Sequence, residues 1–192
     1  MFRLTPAEYL ADFWDRYRDA SGVFWKLERR QEFSEPDVPS WAAAAAGDWP
    51  GALALIEQMR AEVAVEFAAV PGLRRRRVRI IERPVSAYLQ WEMHVLRMRA
   101  DEGEEIRTVD AELIRDRERD SSFPELAAIG DSVLYQILYT SEGALDGALR
   151  STEPAVIEQA MSELACLFSE GEDIASTFAR EIAPLPAPSW GG

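Results

Sequence analysis

LRRRRVRIIER, residues 73–83, decides how this chain folds. Val78, Ile80 and Ile81 are β-branched, and Arg75, Arg77 and Arg79 alternate with apolar or outward positions, so the segment reads as a strand rather than a helix. In a strand the three odd-numbered arginines project together from one face. The Ile80-Ile81 end is apolar on both sides, which sends the strand into a sheet interior. Six arginines and one glutamate give these eleven residues a charge of +5 in a chain of −13, so the remainder carries −18. Guanidinium groups in such an acidic field are expected to pair with the molecule's own carboxylates; a phosphate, nucleotide or acidic-partner site is the alternative.

After this strand, Pro84 is expected to open a helix through Tyr88, Leu89, Trp91, Val95 and Leu96 to about Arg99, followed by the polar turn DEGEE and a strand at 105–110. On the other side, Asp48 caps a helix whose apolar stripe is Leu53, Ile56, Met59, Val63 and Phe67, ended by Pro71-Gly72. Upstream, a loop at 31–40 precedes a short alanine-rich helix at 42–46, and Val23, Trp25 and Leu27 mark a strand. Thr5-Pro6-Ala7-Glu8 is a capping box that starts a helix over 6–20. Downstream, a charged loop at 115–122 leads to the strand SVLYQILYT (132–140), and Ala144–Leu149 returns as a hairpin. A closing helix from Ser151 or Thr152 and Pro154 carries Ile157, Met161, Leu164 and Phe168; Gly171 interrupts it, and Ile174, Phe178 and Ile182 continue the stripe. These elements predict an α+β (mixed α/β) fold: one mixed sheet of about five to six strands, some of them parallel, covered by helices, with two C-terminal helical segments. Residues 1–183 form a single globular domain, and the Pro-rich stretch 184–192 an extended tail.

Composition narrows the chemistry. The 192 residues include 47% hydrophobic and 29% charged side chains, a globular balance. One cysteine excludes an internal disulfide, and one histidine excludes a His/Cys-rich metal site. No apolar run is long enough for a membrane span and MFRLTPAEYLADFW is not a signal peptide, so a cytoplasmic location and no membrane contact are expected. A net acidic surface argues against direct nucleic-acid binding.

Asp101, Glu102, Glu104 and Glu105 are the densest carboxylates, which in a polar turn are expected to be solvated or paired with arginine. A sharper version joins Glu104 and Arg107 in a buried ion pair with Arg77 or Arg79. Asp131 and Ser132 have no partner base except His94, and no G-x-S-x-G elbow is present. His94 is expected to be partly buried and Cys166 to be an inert buried thiol. No glycine-rich phosphate loop occurs, and neither catalytic residues, a metal site nor a cofactor is expected. Of the six tryptophans, Trp14, Trp25 and Trp91 fall at core spacing, whereas Trp41, Trp49 and Trp190 sit at element ends or in the tail, where they could anchor a partner. Gly191-Gly192 resembles the ends of ubiquitin-like carriers, although nothing else in the chain does.

RRVRIIERPVSAYLQWE (76–92), DEGEEIRTVD (101–110) and GDSVLYQILYTSEGALDGA (130–148) together resemble an actinobacterial family known only as a domain of unknown function, the 6879 family. Val78, Arg79, Pro84, Tyr88, Gly103, Glu104, Arg107, Asp131, Tyr139 and Gly143 carry the match. The resemblance implies no activity; by gene neighbourhood it implies a regulatory role beside helix-turn-helix DNA-binding proteins. The later half is faintly similar to half of a phospholipase-D-type domain, but His94 is followed two positions on by Leu96, so the His-x-Lys pair such enzymes need is missing. The expectation is a non-enzymatic interaction or regulatory protein in transcription regulation, whose partner is a DNA-binding regulator or a second copy as a homodimer. The alternative is a phosphate- or nucleotide-binding domain, or a phosphodiester-enzyme relative, with Arg75, Arg77, Arg79 and Arg107 as an anion cradle beside Glu104.

Overall fold

The computed structural model describes residues 1–190; the terminal Gly191-Gly192 motif lies outside the described residues. Eight strands form one mixed sheet: β1 (Phe2–Leu4), β2 (Gly22–Glu28), β3 (Leu73–Ile81), β4 (Glu105–Asp110), β5 (Glu125–Ile129), β6 (Val133–Tyr139), β7 (Leu145–Ser151) and β8 (Glu172–Asp173). Their order across the sheet is β1-β7-β6-β5-β2-β3-β4-β8. β2, β3 and β4 are parallel neighbours; all other pairings are antiparallel. The mixed α+β class and single sheet are as expected, but eight strands replace the expected five or six. The additional ones are β1, β5 and β8, which are short or lack β-branched alternation.

Among the described residues six α-helices complete the fold: α1 (Pro6–Arg18), α2 (Pro39–Ala45), α3 (Trp49–Ala69), α4 (Ala87–Asp101), α5 (Pro154–Glu170) and α6 (Ile174–Thr177), the last running into a wider turn over Phe178–Ile182; a short 3-10 helix, Ala111–Ile114, follows β4. Thr5 and Glu8 cap α1 reciprocally, the Thr5 N–H donating to the Glu8 carboxylate at 2.8 Å. α4 begins at Ala87 rather than at Pro84, because the Ser86 hydroxyl accepts the Leu89 N–H at 3.1 Å and so sets the cap. Among the described residues no helix is long and apolar enough to cross a membrane.

The parallel connections run β2–α2–α3–β3 and β3–α4–β4, and both return over the same sheet face, which α1 also covers. α5 covers the opposite face together with Ile114 and Phe123 from the segment after β4; there Ile157, Leu164 and Leu167 pack on Trp25, Leu27, Val78, Ile80 and Val109. β1 reaches the sheet edge because Gly147 has no side chain: a Cβ there would stand 2.1 Å from the Leu4 carbonyl oxygen. Two core assignments are corrected. Trp14 is 40% exposed, one residue off the stripe that Tyr9, Phe13 and Tyr17 turn to the sheet. Cys166 is exposed, because the buried stripe of α5 passes through Leu164 and Leu167.

Candidate functional site

Register places Phe24, Lys26 and Glu28 of β2 beside Arg75, Arg77 and Arg79 of β3, all pointing at the helical face under α1, α3 and α4. The centre of this face is therefore polar, and the three arginines are buried. Arg77 bridges two carboxylates, Nη1 to Glu28 Oε1 and Nε to Glu104 Oε1, each at 2.7 Å. Arg79, with 0% exposure, donates from Nε to Glu92 Oε2 at 2.7 Å and from Nη1 to the Ile80 carbonyl at 2.9 Å. Arg75 has no carboxylate partner among the described residues. Its Nε donates to the Tyr17 hydroxyl at 2.6 Å, its Nη1 donates to the Leu73 carbonyl at 2.9 Å, and its guanidinium lies 4.2 Å from the Phe67 ring centroid.

Arg107 is not part of this group. It pairs in register with Val78, so it stands on the α5 face, 5.6 Å from the Phe168 ring. The expected pairing of Glu104 with Arg77 is present, that of Arg107 with either arginine is not, and Arg79 takes Glu92 instead. The carboxylates around Glu104 disperse: Glu102 meets Arg60 at 2.8 Å, and Glu105 meets Arg74 at 2.8 Å and Arg76 at 3.1 Å. Among the described residues no group of three His, Cys, Asp or Glu side chains is arranged to hold a metal ion.

The polar groups link into one chain. Lys26 Nζ lies 2.6 Å from Glu28, which meets Arg77, which meets Glu104. Glu104 takes Arg99 Nε at 2.6 Å, and Arg99 Nη2 is 3.8 Å from Glu66. Glu66 accepts the Tyr17 hydroxyl at 3.0 Å, and Tyr17 in turn accepts from Arg75. Burial would raise Glu104, but Arg77 and Arg99 outweigh it and hold the carboxyl at about 2. Glu28 is likewise depressed: Arg77, Lys26 and Arg79 overcome its burial. Glu92 goes the other way. Burial, assisted by the nearby Glu28 charge, pushes it up to about 7 against the pull of Arg79. Glu28 Oε2 and Arg79 Nη2 are buried without a hydrogen-bond partner.

At one end this chain meets open space. A hollow of about 280 Å³ lies between α1 and α3, with Lys26 and Arg77 on its floor and Phe13, Trp14, Tyr17 and Phe24 among its walls. Sequence reasoning placed Lys26 on a strand but missed its role, which depends on the β2–β3 register. A larger open basin of about 440 Å³ lies where β2, β3 and β4 end. Its arginines are already engaged, Arg29 with Glu118 at 2.7 Å and Arg83 with Asp110 at 2.5 Å.

The other candidates sit in packed surroundings. Trp41 and Trp190 meet edge to face at 6.0 Å; Trp49 meets His94 at 5.2 Å, and His94 meets Phe178 at 4.8 Å. Burial lowers the His94 pKa, which favours the neutral ring. The tail is tied back where Gln90 donates to the Pro186 carbonyl at 2.8 Å. Ser132 donates its hydroxyl to the Ile129 carbonyl at 2.8 Å within the β5–β6 turn.

No characterised protein and no solved structure matches this chain, and the phospholipase-D resemblance finds no support among them. Residues 11–179 match the family described as Domain of unknown function (DUF6879), and the chain belongs to that family.

Proposed function

We propose that this chain is a non-enzymatic interaction protein that docks a basic protein partner, a DNA-binding regulator, through the face formed by β1 and α1. The observation that carries the reading is where apolar surface stays uncovered. Met1, Phe2, Leu10 and Trp14 are four of the seven large apolar side chains exposed among the described residues, and Leu10 and Trp14 stand one helical turn apart on α1. Exposed aromatic and apolar groups of this kind serve as anchors, and the net charge of −13 favours encounter with a cationic surface. Against a phosphate cradle, Arg77 and Arg79 already hold carboxylates where a phosphate would have to enter.

The tail tryptophan belongs to the same reading as a second anchor. The indole N–H groups of Trp41 and Trp190 are buried without acceptors, so their mutual contact is replaceable by a partner that offers one. Trp49 flanks this cluster.

Affinity capture from the native host, read by mass spectrometry, tests the proposal with three proteins: wild type, Leu10→Ser/Trp14→Ser, and a chain truncated at Pro184. The expected result is a DNA-binding regulator held by wild type, released by raised salt, lost from the double variant and weakened by truncation. Equal recovery on wild type and the double variant contradicts the docking face.

A further inference from the structure

The linked polar chain under α1 begins on one cation and ends on another. Lys26, Arg75, Arg77 and Arg99 are joined through Glu28, Glu104, Glu66 and the neutral Tyr17 hydroxyl, so four positive groups share three carboxylates. Arg79 and Glu92 pair with each other beside it. Glu35 lies beyond Glu28, bonded to Tyr88 at 2.8 Å and raised by its burial, outside the hydrogen-bonded chain. Within the hydrogen-bonded chain the cations outnumber the carboxylates by one, while Glu125 is a further buried carboxyl group outside it, accepting the Arg29 and Arg30 N–H groups.

The place where a counter-ion can enter is the hollow of about 280 Å³. Lys26 lines it, and its side chain is 26% exposed. An ammonium has three donors, and Glu28 is its one ion-pair partner among the described residues. Glu66 is the single carboxylate on the wall; it is occupied by Tyr17 and Arg99 and faces the cations Lys26, Arg77 and Arg99. Above the charged floor the walls turn aromatic. Phe13 stacks on Tyr17 at 5.4 Å, Trp14 meets both edge to face, and Trp14 and Leu10 form the exposed lip.

We infer that this hollow is a binding site for a small organic monocarboxylate with an aromatic or branched apolar body, held with its carboxylate on Lys26 and its body against Phe13 and Trp14. A single negative charge suits the one ammonium with free donors, Lys26, whereas a doubly charged phosphate would also face the carboxylate of Glu66 on the wall. The volume lies just below the usual range of ligand pockets, which favours a small acid over a nucleotide or large cofactor. The body of such an acid covers aromatic surface that is otherwise wet, and its carboxylate gives Lys26 the donor-acceptor contact that Glu28 alone does not supply. The same chemistry is offered by a free acid or by the C-terminal residue of a peptide. This site goes beyond the docking role and stands without it.

Titration calorimetry on the full chain tests it, with 3-phenylpropionate, its uncharged amide, inorganic phosphate, and a short peptide ending in phenylalanine with a free or an amidated C-terminus. The expected result is saturable binding of 3-phenylpropionate at millimolar concentration or below, and none of the amide or of phosphate. Lys26→Met and Trp14→Ala each weaken it at least about tenfold, a loss of ~1.4 kcal/mol. Leu113→Ser, a change at a distant exposed side chain, leaves it unchanged. Trp14 is a surface residue, so that variant keeps the test valid if Lys26→Met fails to fold. Tighter binding of the free-carboxylate peptide than of the free acid assigns the site to a chain terminus; the reverse order assigns it to a free acid. No saturable binding of either carboxylate, equal binding of acid and amide, or an unchanged affinity in both variants overturns the inference.

Discussion

The two faces of the parallel ladder are one side chain apart and are built on opposite principles. On the α5 face, Trp25, Leu27, Val78, Ile80 and Val109 pack against Ile157, Leu164 and Leu167. On the helical face, the same strands bury Glu28, Arg75, Arg77 and Arg79 against Glu92 of α4 and Glu104 before β4. Apolar packing is non-directional and tolerates exchange among side chains of similar volume. An ion-pair network is directional: each charge needs its own partner at its own atom, and losing one strands another inside the protein. The α5 face accordingly supplies driving force, and the helical face fixes where α4 and the turn before β4 sit on the sheet.

The largest effect is expected where a partner is removed from the charged face. Arg79→Ala leaves Glu92 and the Ile80 carbonyl without their donor and destabilises the chain by about 3–5 kcal/mol in urea unfolding. A wild-type midpoint would place Arg79 outside the network.

Acid separates the faces next. The folded pKa of Glu104, about 2, lies below its ordinary 4.5, so its pairing stabilises fully above pH 4.5 and is lost as pH falls toward 2. The contribution is roughly 3 kcal/mol. Glu92 acts in reverse. Its folded value of about 7 exceeds 4.5, so the folded state binds the extra proton and stability falls as pH rises between these values. Unfolding midpoints against pH should therefore show a shallower acid limb in Glu104→Gln, the rest coming from Glu28, and a weaker decline toward neutrality in Glu92→Gln. Unchanged profiles in both would mean that neither carboxyl is held as the geometry requires.

A smaller effect sharpens the contrast through conservative exchange. Leu164→Met on the α5 face is expected to cost less than about 1.5 kcal/mol. Arg77→Lys on the other face should cost more than that, because one ammonium cannot reach Glu28 and Glu104 from the two positions that Nη1 and Nε occupy. Equal costs would erase the distinction between the faces.

Much of this was readable from sequence. The alternation of 73–81 identified β3 and put Arg75, Arg77 and Arg79 on one side, and the Thr5 and Asp48 caps located α1 and α3. β5 escaped because ELAAI offers no alternation: it is buried along its whole length, with two alanines at its centre. β1 escaped because three residues form a strand there only by leave of Gly147, far along the chain. The site was half legible. Arginine-rich composition announced buried ion pairs, yet the partners depend on register and crossover. Register moves Arg107 to the other face and brings Lys26 beside Arg77, while the α4 crossover delivers Glu92 to Arg79. No local pattern encodes these contacts between distant segments.

The central claim is that the buried guanidinium groups of Arg77 and Arg79 in β3 are paired with carboxylates of the same chain. The most direct measurement is a double-mutant cycle in urea unfolding with Arg77→Met, Glu104→Gln and the double variant. The account predicts a coupling energy of about 1–3 kcal/mol, the double variant being less damaged than the two single losses combined. Costs that add to within about 0.5 kcal/mol would contradict it.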